Sequence, residues 1–200
     1  MKKKGFLFVI SGPSAVGKTS VANELLKQKK INLQRIITCT TRAKRNGEVE
    51  GVDYFFMSKD EFLRHSENGD FAEMSEVYGN YYGILVSTIK EKIEQGINAL
   101  LVINWEGFLK IKRSFKENVI GFFLLPPSLK DLETRIRSRG TDSENIIKQR
   151  MNMITEDMRH KDEFDFRVKN VEIADATSEI FEKIANITAS CKLFFLFKKI

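Results

Sequence analysis

The sequence predicts an α/β fold in which helices cover both faces of a parallel sheet. Three observations carry this. Short, wholly apolar runs suited to strands buried on both sides alternate with segments of helical period. The first run, Phe6 to Ile10, leads into Gly12-Pro13-Ser14-Ala15-Val16-Gly17-Lys18-Thr19, and that in turn opens an amphipathic stretch, giving the order strand, phosphate loop, helix. Finally, 200 residues with 42% hydrophobic content suffice for one domain with a sizeable core.

Each element has its own local signal. In the first helix Val21, Ala22, Leu25 and Leu26 share one face. Strands are expected at Ile36 to Cys39, Ala99 to Ile103, Val119 to Leu125 and Phe166 to Val171. Ser58-Lys59-Asp60-Glu61 reads as a capping box that starts a short helix ended by Gly69. Ser128 caps a helix with Leu129, Leu132 and Ile136 on its apolar stripe. A further helix runs from Ser143 to about Asp157 with Ile146, Ile147, Met151 and Ile154 on one side, and Ile180, Phe181, Ile184 and Ile187 mark the last. Gly140-Thr141 separates two arginine-bearing helices and is the expected hinge. The same spacing carries on to Cys191, Phe194 and Phe195. Leu193 to Phe197 is therefore expected to continue the last helix onto the core, ahead of dimerisation or membrane contact.

Composition narrows the function classes. The net charge of +6 is accounted for by Lys2, Lys3, Lys4, Lys192, Lys198 and Lys199, and the remainder is balanced, so a nucleic-acid partner is not expected. No stretch approaches the roughly 20 apolar residues of a spanning helix, and five apolar residues before Ser11 are too few for a secretory leader. A cytoplasmic protein without a membrane partner is expected, as monomer or homodimer. Cys39 and Cys191 lack metal-ligand spacing and are expected to be reduced thiols. His65 and His160 are expected to be solvated or structural.

The loop fixes the first ligand. The spacing G-x-x-x-x-G-K-[ST] turns backbone N–H groups around an anion at a helix N-terminus and adds Lys18 and the Thr19 hydroxyl for phosphate and magnesium. A nucleoside triphosphate is expected. A second anion site is marked by Thr38-Cys39-Thr40-Thr41-Arg42, Arg45, Tyr54, Glu73 and Tyr78-Gly79-Asn80-Tyr81-Tyr82-Gly83, since arginine forks with tyrosine hydroxyls make a directional phosphate clamp.

Together with Pro126-Pro127-Ser128 and Arg139-Gly140-Thr141, these segments resemble the guanylate kinase family over nearly the whole chain. The resemblance implies a three-layer P-loop kinase fold that transfers the ATP γ-phosphate to GMP or dGMP in purine nucleotide metabolism, with Mg2+ accompanying ATP. It divides the chain into a core (1–35, 90–134 and 162–200), a GMP-binding insertion (36–89) and a helical lid (135–161). ATP would lie on Gly12, Pro13, Ser14, Ala15, Val16, Gly17, Lys18, Thr19, Ser20 and Asn170, with Thr19 on the metal. GMP would lie on Thr38, Arg42, Arg45, Tyr54, Glu73, Tyr82 and Gly83, with Thr38 and Glu73 reading guanine. Lys18, Arg42, Arg135, Arg139 and Arg150 would be catalytic.

The chain departs from the family pattern at several positions. Ala15 replaces a usual glycine and is expected to keep φ negative, Lys44 replaces a proline, and Ile84 replaces Ser or Thr. Val102 and Asn104 stand where aspartates are usual, which leaves Asn104 or Glu106 to orient a metal-bound water. A catalytically silent module that binds phosphorylated protein segments would share the acceptor residues but has no use for Lys18, Thr19 or lid arginines. A kinase for another acceptor base is the remaining alternative.

Overall fold

Strand β1 (Leu7–Ser11) is apolar from Leu7 to Ile10 because both its faces are covered: Phe8 and Ile10 enter one core layer, Leu7 and Val9 the other, and all four are fully buried. The computed structural model describes residues 4–77, 79–138 and 143–197, with side chains through residue 189. After β1 come α1 (Lys18–Leu26), β2 (Leu33–Arg35), β3 (Thr38–Thr40), β4 (Tyr54–Phe56), α2 (Lys59–Glu67), β5 (Phe71–Val77) and β6 (Asn80–Leu85). The chain continues through α3 (Val86–Glu94), β7 (Asn98–Val102), α4 (Trp105–Phe115), β8 (Val119–Leu125), α5 (Leu129–Arg137), α6 (Glu144–Arg159), β9 (Phe166–Lys169) and α7 (Ile173–Phe197).

The main sheet has the order β2-β7-β1-β8-β9 and is parallel throughout, with Leu7 in register with Ala99 on one side and Val119 on the other. Residues of α1, α5, α6 and α7 fill one face, those of α3 and α4 the other. Because the chain leaves β1 toward one edge and later crosses to the opposite edge, the carboxyl end of β1 is a topological switch point where a crevice opens. The loops after β1, β7 and β9 meet there.

A second sheet, of order β4-β3-β6-β5, is built from residues 38–85. The expected strand Ile36 to Cys39 falls across the join between two strands of different sheets. β2 ends at Arg35, Ile36 is buried between the sheets' territories, and β3 starts at Thr38. The second sheet closes on an aromatic stack in which Phe62 of α2 lies 4.3 Å from Phe71 and 5.4 Å from Tyr81. A Cβ on Gly83 would stand 2.6 Å from the Phe71 ring, so only glycine lets β6 pass beneath it.

The caps are as expected: Ser58 Oγ accepts from Glu61 N–H at 3.1 Å, Ser128 Oγ from Asp131 N–H at 3.1 Å, and Gly69 takes φ 71° just past α2. Two apolar stripes are narrower than the sequence predicts. Leu129, at the first position of α5, and Ile146, one step round α6 from the buried Ile147, both face solvent. In α7, Ile180 and Ile184 are buried with Phe181 and Ile187 packed beside them, and the helix runs on to Phe197. The expected packing of Cys191, Phe194 and Phe195 lies outside the described residues, as do Gly140-Thr141 and Tyr78. Cys39 is buried, and burial with Glu50 and Glu61 nearby pushes its thiol up to about 11. Among the described residues no helix is long and apolar enough to cross a membrane.

Candidate active site

The turn from β1 into α1 is shaped by residues with positive φ: Gly12 at 135°, Ala15 at 62° and Gly17 at 100°. A Cβ on Gly12 would lie 2.6 Å from Leu124 O, and one on Gly17 2.6 Å from Asn170 Nδ2, so both positions require glycine. Ala15 overturns the expectation of a negative φ. The cradle needs a left-handed residue there whichever side chain it carries, and an alanine in that region costs about 1–2 kcal/mol. Asn170, buried at the end of β9, donates from Nδ2 to Val16 O at 2.7 Å and thereby ties the loop to the sheet. Gly17 caps α1 without a side chain, and the first turn of α1 holds no acidic residue, so its N–H groups remain free for an anion. Lys18 Nζ folds back to donate to Gly12 O at 2.6 Å and Pro13 O at 2.9 Å. Burial holds its ammonium below the usual lysine value, against the pull of Asp157.

A cavity of about 380 Å³ lies over this loop, with Lys18 on its floor, Asn104, Trp105 and Glu106 on one wall and Met153, Glu156 and Asp157 of α6 on another. Burial raises the Asp157 carboxyl, with Lys18 opposing the shift. Asn104 Oδ1 accepts from Gly107 N–H at 2.9 Å and so caps α4, while its Nδ2 donates to Glu106 Oε2 at 3.3 Å. The imidazole of His160, just past α6, stacks on Trp105 with centroids 3.4 Å apart and planes 7° from parallel. His160 Nδ1 lies 2.6 Å from Glu163 and Nε2 3.4 Å from Glu156, and these carboxylates, Glu163 first, raise its pKa. His65 Nδ1 is 2.8 Å from Asp70. Each histidine is thus held by a neighbouring carboxylate.

On the far side of α1 a second cavity, of about 250 Å³, runs from Thr19 to Thr38, Asp53 and Tyr54, with Leu101 and Val102 along its floor. Hydroxyls shape the chain around it: Thr40 Oγ1 donates to Tyr81 O at 3.0 Å and accepts from Arg42 N–H at 3.2 Å, and Thr41 Oγ1 accepts from Tyr81 N–H at 2.9 Å. Arg42 lies over Tyr54, 5.5 Å from the ring centroid, and hydrogen-bonds to Glu48. The Tyr54 and Tyr82 rings meet edge to face at 6.1 Å. Glu73 on β5 pairs in register with the buried Ile84 and packs so closely on α4 that a Cβ on Gly107 would stand 3.0 Å from its Cγ. Burial raises the Glu73 carboxyl above its ordinary range, Lys110 opposes this, and Glu106 adds to it.

The family model described as "Guanylate kinase" matches residues 4–187. The chain belongs to the guanylate kinase family. It is 36% identical to the guanylate kinase of Anaplasma phagocytophilum over 94% of this chain and 87% of that one. It is 40% identical to that of Hydrogenovibrio crunogenus over 95% and 92%. The crystal structure of the Anaplasma phagocytophilum guanylate kinase superposes with a TM-score of 0.72 over 94% of this chain and 88% of that one. A gluconokinase from Sinorhizobium meliloti, 14% identical with a TM-score of 0.51, shares the fold alone.

Within this guanylate kinase fold, the expected residues fall into three groups. Gly12 to Thr19, with Asn170 against them, form one cluster, and exposed Ser20 follows on α1. Thr38, Arg42, Tyr54 and Tyr82 form another, with Arg45 tied to Arg42 through Glu48. Arg135 and Arg150 are half-buried on α5 and α6, which are joined by the Arg137 fork on Glu144, while Arg139 lies outside the described residues. Sequence reasoning missed the Trp105–His160 stack and Asp157, which chain separation hides. It also missed Glu48, although the three-residue spacing Arg42, Arg45, Glu48 was a signal.

Two outcomes follow. Ala15→Gly is expected to stabilise the fold by about 1 kcal/mol, read as a higher urea midpoint at unchanged slope; an unchanged or lower midpoint would show that Ala15 carries no strain. Trp105 is the sole tryptophan, so its emission reports on His160. A raised folded pKa means that the contact's contribution is complete below the ordinary histidine value of about 6.5 and is lost as pH rises through the raised value. Emission, quenched by stacked imidazolium, should rise with a midpoint above 6.5 and stay flat in His160→Gln; a midpoint at or below 6.5 would contradict the arrangement.

Proposed function

We propose that the protein transfers the γ-phosphate of ATP to GMP, and to dGMP, yielding ADP and GDP or dGDP. One observation carries this: two separate phosphate-binding devices, the loop with Lys18 and the Arg42–Tyr54–Tyr82 cluster, flank α1 and border cavities that share its N-terminal end. An acceptor phosphate attacks with an oxygen that is already anionic, so no general base is required. The work left to the protein is alignment and charge neutralisation. Lys18 would exchange its two loop carbonyls for donor phosphate oxygens. Arg42, Arg45, Tyr54 and Tyr82 would hold the acceptor phosphate, while Arg135, Arg139 and Arg150 would bring positive charge down with the lid (135–161) as it and the insertion (36–89) close over the core.

The residues present fit magnesium. Thr19 lies exposed at the start of α1, where its hydroxyl would take one position on an ion that keeps most of its waters. With ATP bound, Thr19 would hold the ion, whose positive charge would offset that of the phosphates. Asn104 Oδ1 is committed to capping α4, and Glu106, which lines the same cavity, would orient one of those waters.

Thr38 and Glu73 would select the base. Guanine donates from N1 and its exocyclic amine, whereas adenine has an acceptor at N1, so a desolvated carboxylate favours the first and opposes the second. The protein would act in the cytoplasm, as monomer or homodimer, on nucleotides alone.

The test is ADP formation from ATP and Mg2+ with GMP, dGMP, AMP, UMP or CMP supplied in turn. GMP and dGMP should be used and the others poorly; equal use of AMP would refute the assignment. Glu73→Gln should lower the GMP to AMP ratio of kcat/KM by about 10- to 100-fold. Since the carboxylate form is required and its pKa is raised, wild-type kcat/KM for GMP should fall on acidification at a pH above the ordinary carboxylate range. An unchanged ratio would remove Glu73 from this role.

A further inference from the structure

The segment between β3 and β4 turns tightly around one carboxylate. Glu48 Oε1 accepts from Arg42 Nη2 at 2.6 Å and Glu48 Oε2 from the Arg45 backbone N–H at 2.8 Å, while Glu48 N–H donates back to Arg45 O at 3.2 Å. Only 13% of the Arg42 side chain and 19% of the Glu48 side chain reach solvent. The rest of the guanidinium is equally fixed: Nη1 donates to Ala43 O at 2.7 Å, and Tyr54 and Phe56 lie beneath it at 5.5 and 6.0 Å.

An arginine at a surface ordinarily samples many rotamers, and a ligand that binds it must freeze them. Here the freezing is done by the fold. Of the neutral side chains of this length none can take Glu48's place, because the bridge needs two acceptor oxygens on one rigid group and glutamine has only one. The carboxylate also carries a charge that opposes an incoming phosphate. Two facts weigh for organisation over repulsion. Glu48 occupies one N–H of a fork that presents five, and its other oxygen is tied to the backbone of the same loop.

We propose that Glu48 is a positioning residue: it locks the Arg42 guanidinium to the Arg45 backbone and so presents both arginines to the acceptor's phosphate as a preformed clamp. This rests on the acceptor-site reading above and deepens it, because it assigns Glu48 to phosphate affinity alone and not to the base. A residue that merely kept residues 38–85 folded would weaken nucleotide and nucleoside alike.

The experiment compares full-length wild type with Glu48→Gln by calorimetric binding of GMP and of guanosine, alongside KM for GMP and for ATP. The expected result is a GMP affinity lowered by about 10- to 100-fold with a matching rise in KM for GMP. Guanosine affinity, KM for ATP and kcat should stay within about threefold, half a logarithmic unit. Unchanged or tighter GMP binding would overturn the proposal, as would equal losses for GMP and guanosine. Wild type that binds GMP no more tightly than guanosine would overturn it too. If wild type binds GMP but forms no GDP, the proposed reaction fails while the two affinities still decide the role of Glu48.

Discussion

Two polyanionic nucleotides repel each other, so they can meet in line only where positive and donor groups have been placed beforehand. Most of the architecture serves that placement. The parallel sheet brings the loops after β1, β7 and β9 to one crevice. The uncapped start of α1 points its N–H groups into it. Without a ligand, the cations are parked against neighbours of opposite or partial negative charge: Lys18 on two loop carbonyls, Arg42 on Glu48. Lys18 can exchange its carbonyls for phosphate oxygens, whereas Arg42 keeps Glu48 and offers its remaining N–H groups, so neither cation is left bare in a desolvated site.

Rigidity in the loop comes at the expense of local comfort. Gly12 and Gly17 pass against Leu124 and Asn170 at distances no side chain allows, and Ala15 holds a conformation that glycine would adopt without strain. The Asn170 bond to Val16 and the burial of Val16 and Val21 over-determine the turn. On the acceptor side, hydroxyl bonds from Thr40 and Thr41 to the Tyr81 backbone and the Phe62 stack do the same for the chain that carries Arg42.

Features written in short stretches were legible: the phosphate loop, the caps at Ser58 and Ser128, and strands such as Val119 to Leu125 that are apolar at nearly every position. β4 is three half-buried residues, and β5 and β6 lean on non-local pairing, so neither gives a strong period. The Ile36 to Cys39 run is apolar on both sides of a sheet change that no local pattern marks. The Ala15 expectation failed because closure of the cradle outweighed a residue's own preference. The resemblance pointed to Arg42, Tyr54 and Tyr82, which the fold brings together. The partner that holds Arg42 and the helix that brings Asp157 over Lys18 depend on tertiary contacts.

The proposed donor and acceptor sites meet at the N-terminal end of α1 and together hold two nucleotides. Calorimetric titration with adenosine and guanosine joined through five phosphates tests it directly. The account predicts one molecule bound per chain, displaced by ATP and by GMP alike, with affinity that falls as salt rises. Displacement by only one of the two nucleotides would contradict it.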